Sequence, residues 1–207
     1  MIFKNLTALC RANKCIMLYG APDELQWVSE GHAIYPLHGH PGMTANMLPR
    51  VFDVPEKDLG KYYIRHNTER PAPYDYSDVA LNETQLRPEQ ITIKRGDMIM
   101  RPARTSKGLM FYDPEYLKPL RDVQDSMGIY ERRATDGTMY FAVKSGMLLQ
   151  ALILPLAPDY GKLLEELLGL CEGLQKTVES VESAGGASHA PTEETEIEGQ
   201  MEMEGEV

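Results

Sequence analysis

Phe111-Tyr112-Asp113-Pro114-Glu115-Tyr116-Leu117-Lys118-Pro119-Leu120-Arg121 is the stretch on which the fold turns. An aromatic pair ends at Asp113, whose side chain can accept from free helix amides. Pro114 has no amide to leave unsatisfied at the first helical position, and Glu115 suits the positive end of the helix dipole. Tyr116, Leu117, Leu120 and Val123 then share a face opposite Lys118 and Arg121, which predicts a helix kinked or shortened at Pro119. Ile129-Tyr130-Glu131-Arg132-Arg133 and Thr138-Met139-Tyr140-Phe141-Ala142-Val143 follow as two strands joined across Asp136-Gly137, a dipeptide suited to a primed turn. Residues 148–156 are nearly all apolar, which predicts a last strand lying centrally in a sheet.

The same order occurs at the start of the chain. Residues 2–14 carry Leu6, Leu9 and Cys10 on one side of a helix and Lys4, Arg11 and Lys14 on the other. Cys15-Ile16-Met17-Leu18-Tyr19 and Leu25-Gln26-Trp27-Val28-Ser29 read as a hairpin around Gly20-Ala21-Pro22-Asp23-Glu24, with a third strand through Ala33-Ile34-Tyr35-Pro36-Leu37. Between the two units, residues 38–90 lose periodicity apart from a short helix over 44–52, and are read as an insertion. Strands resume at Ile91-Thr92-Ile93-Lys94 and at Met98 to Met100. The expected fold class is α+β: two helices packed on antiparallel sheets in a body of residues 1–159.

Beyond the body, Leu164, Leu167, Cys171, Leu174, Val178 and Val181 alternate at spacings of three and four along an amphipathic helix over 160–183. This seam is expected to dock on the body, with self-association as the alternative. Residues 184–207 are Gly, Ser, Ala, Pro and Glu with few large apolar groups, the composition of an acidic disordered tail.

The formal charge of −10 is unevenly placed: from residue 161 onward there are 12 Glu, no Asp and 2 Lys, leaving the preceding residues with 19 acidic and 19 basic groups. The body is therefore free to carry a basic face. Three cysteines, Cys10, Cys15 and Cys171, form no CxxC pair, and the apolar stretches are too short to span a bilayer. A soluble, cytoplasmic protein with reduced thiols and no membrane partner is expected.

No phosphate-cradling glycine loop, nucleophile elbow or HExxH occurs in the sequence. His32, His38 and His40, with Asp23 or Glu30, are the only candidates for a metal site, but His-Gly-His-Pro-Gly reads as a loop, so no metal, cofactor or catalytic residue is expected. A metal-dependent enzyme built on these histidines is kept as an alternative. Tyr62, Tyr63, Tyr74 and Tyr76 are candidates for stacking on bases or a peptide, against the plainer reading of loop tyrosines packed on the body.

The doubled helix-plus-strands order resembles one domain of a DNA sliding clamp, the ring-forming family that includes the bacterial DNA polymerase III beta subunit and proliferating cell nuclear antigen. Three stretches carry the resemblance: the hairpin 15–29 with Glu30-Gly31-His32-Ala33, similar to an Asp-Gly-His-Arg turn; Phe111 through Leu117; and Ala151-Leu152-Ile153-Leu154-Pro155-Leu156. Glu30 stands where the family has Asp, and Ala33 where it has Arg. The resemblance implies a non-enzymatic replication accessory factor, working as a homo-oligomer or docked to a polymerase-type partner. Lys4, Arg11, Lys14, Lys118 and Arg121 would touch phosphates of double-stranded DNA without reading sequence. Gly31, His32, Leu154, Pro155 and Leu156 would bind a partner peptide. The alternative function is a generic protein-interaction module acting through the C-terminal helix and acidic tail.

Overall fold

The computed structural model describes residues 1–185. The chain is α+β, and its first compact unit is Met1–Ala157. Helix α1 (Phe3–Ala12) leads into β1 (Cys15–Tyr19), β2 (Trp27–Ser29) and β3 (Ala33–Pro36), all antiparallel neighbours. Helix α2 (Leu48–Val51), β4 (Tyr63–Asn67), β5 (Thr84–Gln85), β6 (Arg87–Pro88) and β7 (Ile93–Arg95) come next. The hairpin β8 (Met98–Thr105) and β9 (Gly108–Tyr112) precedes a helical segment, Pro114–Ser126, and then β10 (Met127–Arg133), β11 (Met139–Ser145) and β12 (Leu148–Ile153).

The main sheet has the order β4-β1-β2-β3-β12-β11-β10-β5. Read from either edge it is the same device: a helix leads into three antiparallel strands, and the third strands, β3 and β12, meet in the middle. Exchanging the halves maps β1 onto β10, β2 onto β11, β3 onto β12, and α1 onto the 114–126 segment. The apolar strand 148–153 is central, as its composition requires. The insertion supplies both edges of this sheet, β4 running parallel to β1 and β5 antiparallel to β10. Its strands alternate partial with full exposure or are exposed throughout, so they carry little apolar signal to read. A smaller sheet, β6-β8-β7 with β9 beside β8, packs next to it.

Strand alternation divides the core between the two sheet faces. Ile16 and Leu18 join Leu6, Cys10, Tyr116 and Leu120 beneath the helices, while Tyr19 packs with Trp27, Tyr140 and Leu152 on the other face. In β12 the alternation breaks where the register shifts between Val143 and Lys144, which lets Leu149 and Leu152 reach the same side.

Two local expectations are corrected. The 114–126 segment is wound as 3₁₀ turns and not as an α-helix, because Pro119 has no amide and its ring would strike the carbonyl four residues back. Its start is as expected, the Asp113 side chain accepting the Glu115 amide at 2.8 Å. The β10–β11 hairpin closes with three residues and not a primed two-residue turn: the Gly137 amide donates to Ala134, the Ala134 amide to Thr138, and Gly137 alone takes a positive φ, +83°.

The second unit begins at Pro158 and contains α3 (Tyr160–Gly185). Leu164, Cys171, Leu174, Val178 and Val181 of its seam are exposed and Leu167 is partly so. The tail expected at 184–207 lies outside the described residues from 186 onward. Among the described residues no helix is long and apolar enough to cross a membrane.

Candidate nucleic-acid interface

Pro119 also ties the two helical segments together. The tight winding leaves backbone carbonyls without partners inside the segment, and α1 supplies donors: the Ile2 amide reaches the Pro119 carbonyl at 2.6 Å and Asn5 Nδ2 the Lys118 carbonyl at 2.8 Å. The segments therefore lie side by side on one face of the main sheet, with Leu6, Leu9, Cys10, Tyr116 and Leu120 turned into the core. Their apolar faces being committed, the charged residues are left outside: Lys4, Arg11, Lys14 and Arg121 are exposed and Lys118 is half-buried. Lys118 is ion-paired with Glu115, and Asp122 and Asp125 stand exposed on the same segment.

A cavity of about 400 Å³ opens where the segments adjoin, bordered by Asn5, Ala8, Glu115, Lys118 and Arg121. Lys118 and Arg121 also border a second cavity of about 260 Å³ that reaches Arg101 on β8. Arg101, Leu117 and Met127 in turn border a third, of about 370 Å³, that reaches Arg87 and Tyr112. Shared walls make these one groove, in which Arg87, Arg101, Lys118 and Arg121 face, among the described residues, a single carboxylate, Glu115. Such a strip of spaced cations with one acid suits a polyanion backbone rather than a compact substrate. Arg87 escaped the sequence reading because it belongs to the stretch without clear periodicity, and Arg101 because it lies just past the strand read at Met98 to Met100; only the folding of β8 against the 114–126 segment brings Arg101 and Lys118 to one cavity.

The Gly31–His32 turn is built around Glu30, which is 1% exposed. Its carboxylate accepts the Ala33 amide at 2.7 Å, the His32 amide at 3.2 Å and Asn13 Nδ2 at 2.6 Å, which locks the turn to the end of α1. The His32 ring stacks on Tyr116, centroids 6.0 Å apart, and its hydrogen bond to Glu30 raises its pKa against the opposing effect of partial burial. The His32 carbonyl accepts the Leu154 amide at 2.8 Å, and Leu156 donates to the Phe111 carbonyl at 2.7 Å. The structure thus brings Gly31 and His32 next to Leu154 and the partly exposed Pro155, while Leu156 is drawn toward β9; the cavities described above lie elsewhere.

Other candidates resolve into packing. Tyr76 meets Trp27 edge-on at 5.0 Å and Tyr74 meets Tyr140 at 5.1 Å, so both fasten the insertion to the sheet's far face; Tyr63 is exposed. His40 lies against Phe3 at 5.0 Å, and no group of three His, Cys, Asp or Glu side chains among the described residues could hold a metal ion. Burial, with the nearby negative charge of Glu30, pushes the thiols of Cys10 and Cys15 up. No protein-family model, curated protein or solved structure matches this chain.

Proposed function

We propose that this chain is a non-enzymatic, clamp-like replication accessory module that holds double-stranded DNA by phosphate contacts on its two-helix face. The observation that carries this reading is the side-by-side seating of α1 and the 114–126 segment, with Lys4, Arg11 and Arg121 exposed, Lys118 half-buried beside them and both apolar faces buried. The repeated helix-plus-three-strands unit supports it, since a two-fold body presents two equivalent helices to one partner. A polymerase-type partner is assigned to the edge formed by Gly31, His32, Leu154, Pro155 and Leu156. The protein is assigned to the cytoplasm, where Cys10, Cys15 and Cys171 stay as the free thiols they are. A closed ring of six such domains would need a homohexamer.

The test is a titration of labelled duplex DNA with wild type and with a K4Q/R11Q/R121Q variant. Binding independent of sequence, weakened in the variant, is expected; a wild type that ignores duplex DNA at low salt sinks the reading.

A second reading has one observation in its favour. The exposed seam of α3 fits an interaction module that pairs this helix with a second copy or another helix. Deleting residues 161–207 separates the two: partner binding and self-association lost on truncation favour α3, and DNA binding retained favours the body.

A further inference from the structure

At the far end of the groove, two facing polar groups are poorly satisfied among the described residues. Tyr112 is 1% exposed, and its hydroxyl has the Arg101 side chain beside it but forms no well-aligned hydrogen bond; Arg101 Nε is likewise buried without a partner. The two residues stand directly opposite each other in the β8–β9 pair, and both border the cavity of about 370 Å³. Arg101 makes one weak contact, from its NH2 group to Thr92 Oγ1 at 3.5 Å. Native folds seldom leave buried donors unsatisfied, and those that remain call for an explanation such as a ligand that completes them.

The surroundings specify what such a ligand carries. Among the described residues no carboxylate borders the cavity, whereas Arg87 does. Among the described residues neither Arg87 nor Arg101 forms an ion pair. Guanidinium groups only donate, so the missing group must present oxygen acceptors, and the planar fork of Arg suits the paired oxygens of a phosphate. Leu117 and Met127 form an apolar wall beside these charges. Lys118 and Arg121 in the adjoining cavity add positive potential on the open side.

We propose that Arg87, Arg101 and Tyr112 form a seat for a phosphate group. As a site for phosphate the seat stands without the DNA reading; as an anchor for a strand lying along the helices it deepens that reading. The phosphate could belong to a free nucleotide or to a DNA backbone, and the experiment separates these sources.

The full chain is titrated with inorganic phosphate at low ionic strength by calorimetry and amide NMR, alongside R101Q, R87Q and Y112F. Saturable binding is expected in wild type, weakened about tenfold in R101Q and several-fold in R87Q and Y112F. Because the hydroxyl forms no well-aligned hydrogen bond among the described residues, Y112F should keep or raise the melting temperature while binding phosphate less well. Arg87 is exposed, so R87Q tests the seat even if the other variants unfold. Absent binding by wild type, undiminished binding in R101Q, R87Q and Y112F, or a Y112F variant that melts well below wild type would each overturn the proposal. With the seat established, displacement of phosphate by a 5′-mononucleotide but not by a short duplex assigns it to a free phosphate ester; displacement by the duplex assigns it to the backbone. If duplex DNA fails to bind while phosphate still does, the replication reading falls and the seat stands.

Discussion

Ile34 and Leu152 stand opposite each other in the antiparallel pair that joins the two halves of the body. Only one further pair, Ala33 with Ile153, completes that junction, and Ile34 and Leu152 are 7% and 2% exposed. Leu152→Ala should therefore cost about 2–5 kcal/mol, the range for truncating a large buried side chain. Urea unfolding is expected to keep one transition with a lower midpoint. Two separate transitions would mean that the halves fold independently and that the junction does not unite them.

Glu83 bridges two buried cations, accepting from Arg132 Nε at 2.9 Å and from Lys144 Nζ at 2.6 Å. Arg132, 1% exposed, also donates to the carbonyls of Asp75, Ser77 and Asp78, so the network ties the insertion to β10 and β11. Glu83→Gln leaves both cations buried without a counter-charge and should cost about 3–5 kcal/mol. Chemical denaturation measures this; a loss under about 1 kcal/mol would show that the network relaxes into water.

The same residue sets an acid dependence. Burial pushes the Glu83 carboxyl up, but its hydrogen bonds from Lys144 and Arg132 and their charges outweigh that and hold it below the usual carboxylate range. A depressed native pKa contributes stability that is present above the unfolded value of about 4.3 and is lost as pH falls through the native one. Stability of wild type should thus decline below about pH 4.3 more steeply than that of E83Q, as read from denaturant midpoints at successive pH values. Parallel slopes would remove Glu83 from the account.

Thiol chemistry should distinguish the three cysteines. Cys10 is fully buried and Cys15 partly so, both with raised pKa values, while Cys171 is exposed on α3. An aromatic disulfide reagent added to native protein should find one fast thiol, absent in C171S. Fast reaction in C171S would show that α1 opens readily.

The doubled unit was legible in the sequence because each copy announces itself by local means: a capped or amphipathic helix, then strands whose apolar residues alternate. The Asp113 cap and the apolar run of β12 needed no tertiary information. Pro119 signalled a disturbance, but its outcome, 3₁₀ turns pinned by Ile2 and Asn5, depends on a partner more than a hundred residues away in sequence. The edges β4 and β5 were illegible for a related reason, since strands this exposed carry little apolar signal and their pairing with β1 and β10 is purely long-range. Helix periodicity gave Lys4, Arg11, Lys14, Lys118 and Arg121 their outward face. The groove that joins Lys118 and Arg121 to Arg87, Arg101 and Tyr112 arises only when β8 packs against the 114–126 segment.

The central claim is that the two helical segments are the surface that meets DNA, and the most direct measurement is amide hydrogen exchange on the full chain with and without a short duplex. Slowed exchange confined to Phe3–Ala12, Pro114–Ser126 and the flanking β8–β9 hairpin is predicted. Protection centred on the opposite sheet face around Tyr74 and Tyr76, or no change at any duplex concentration, would contradict it.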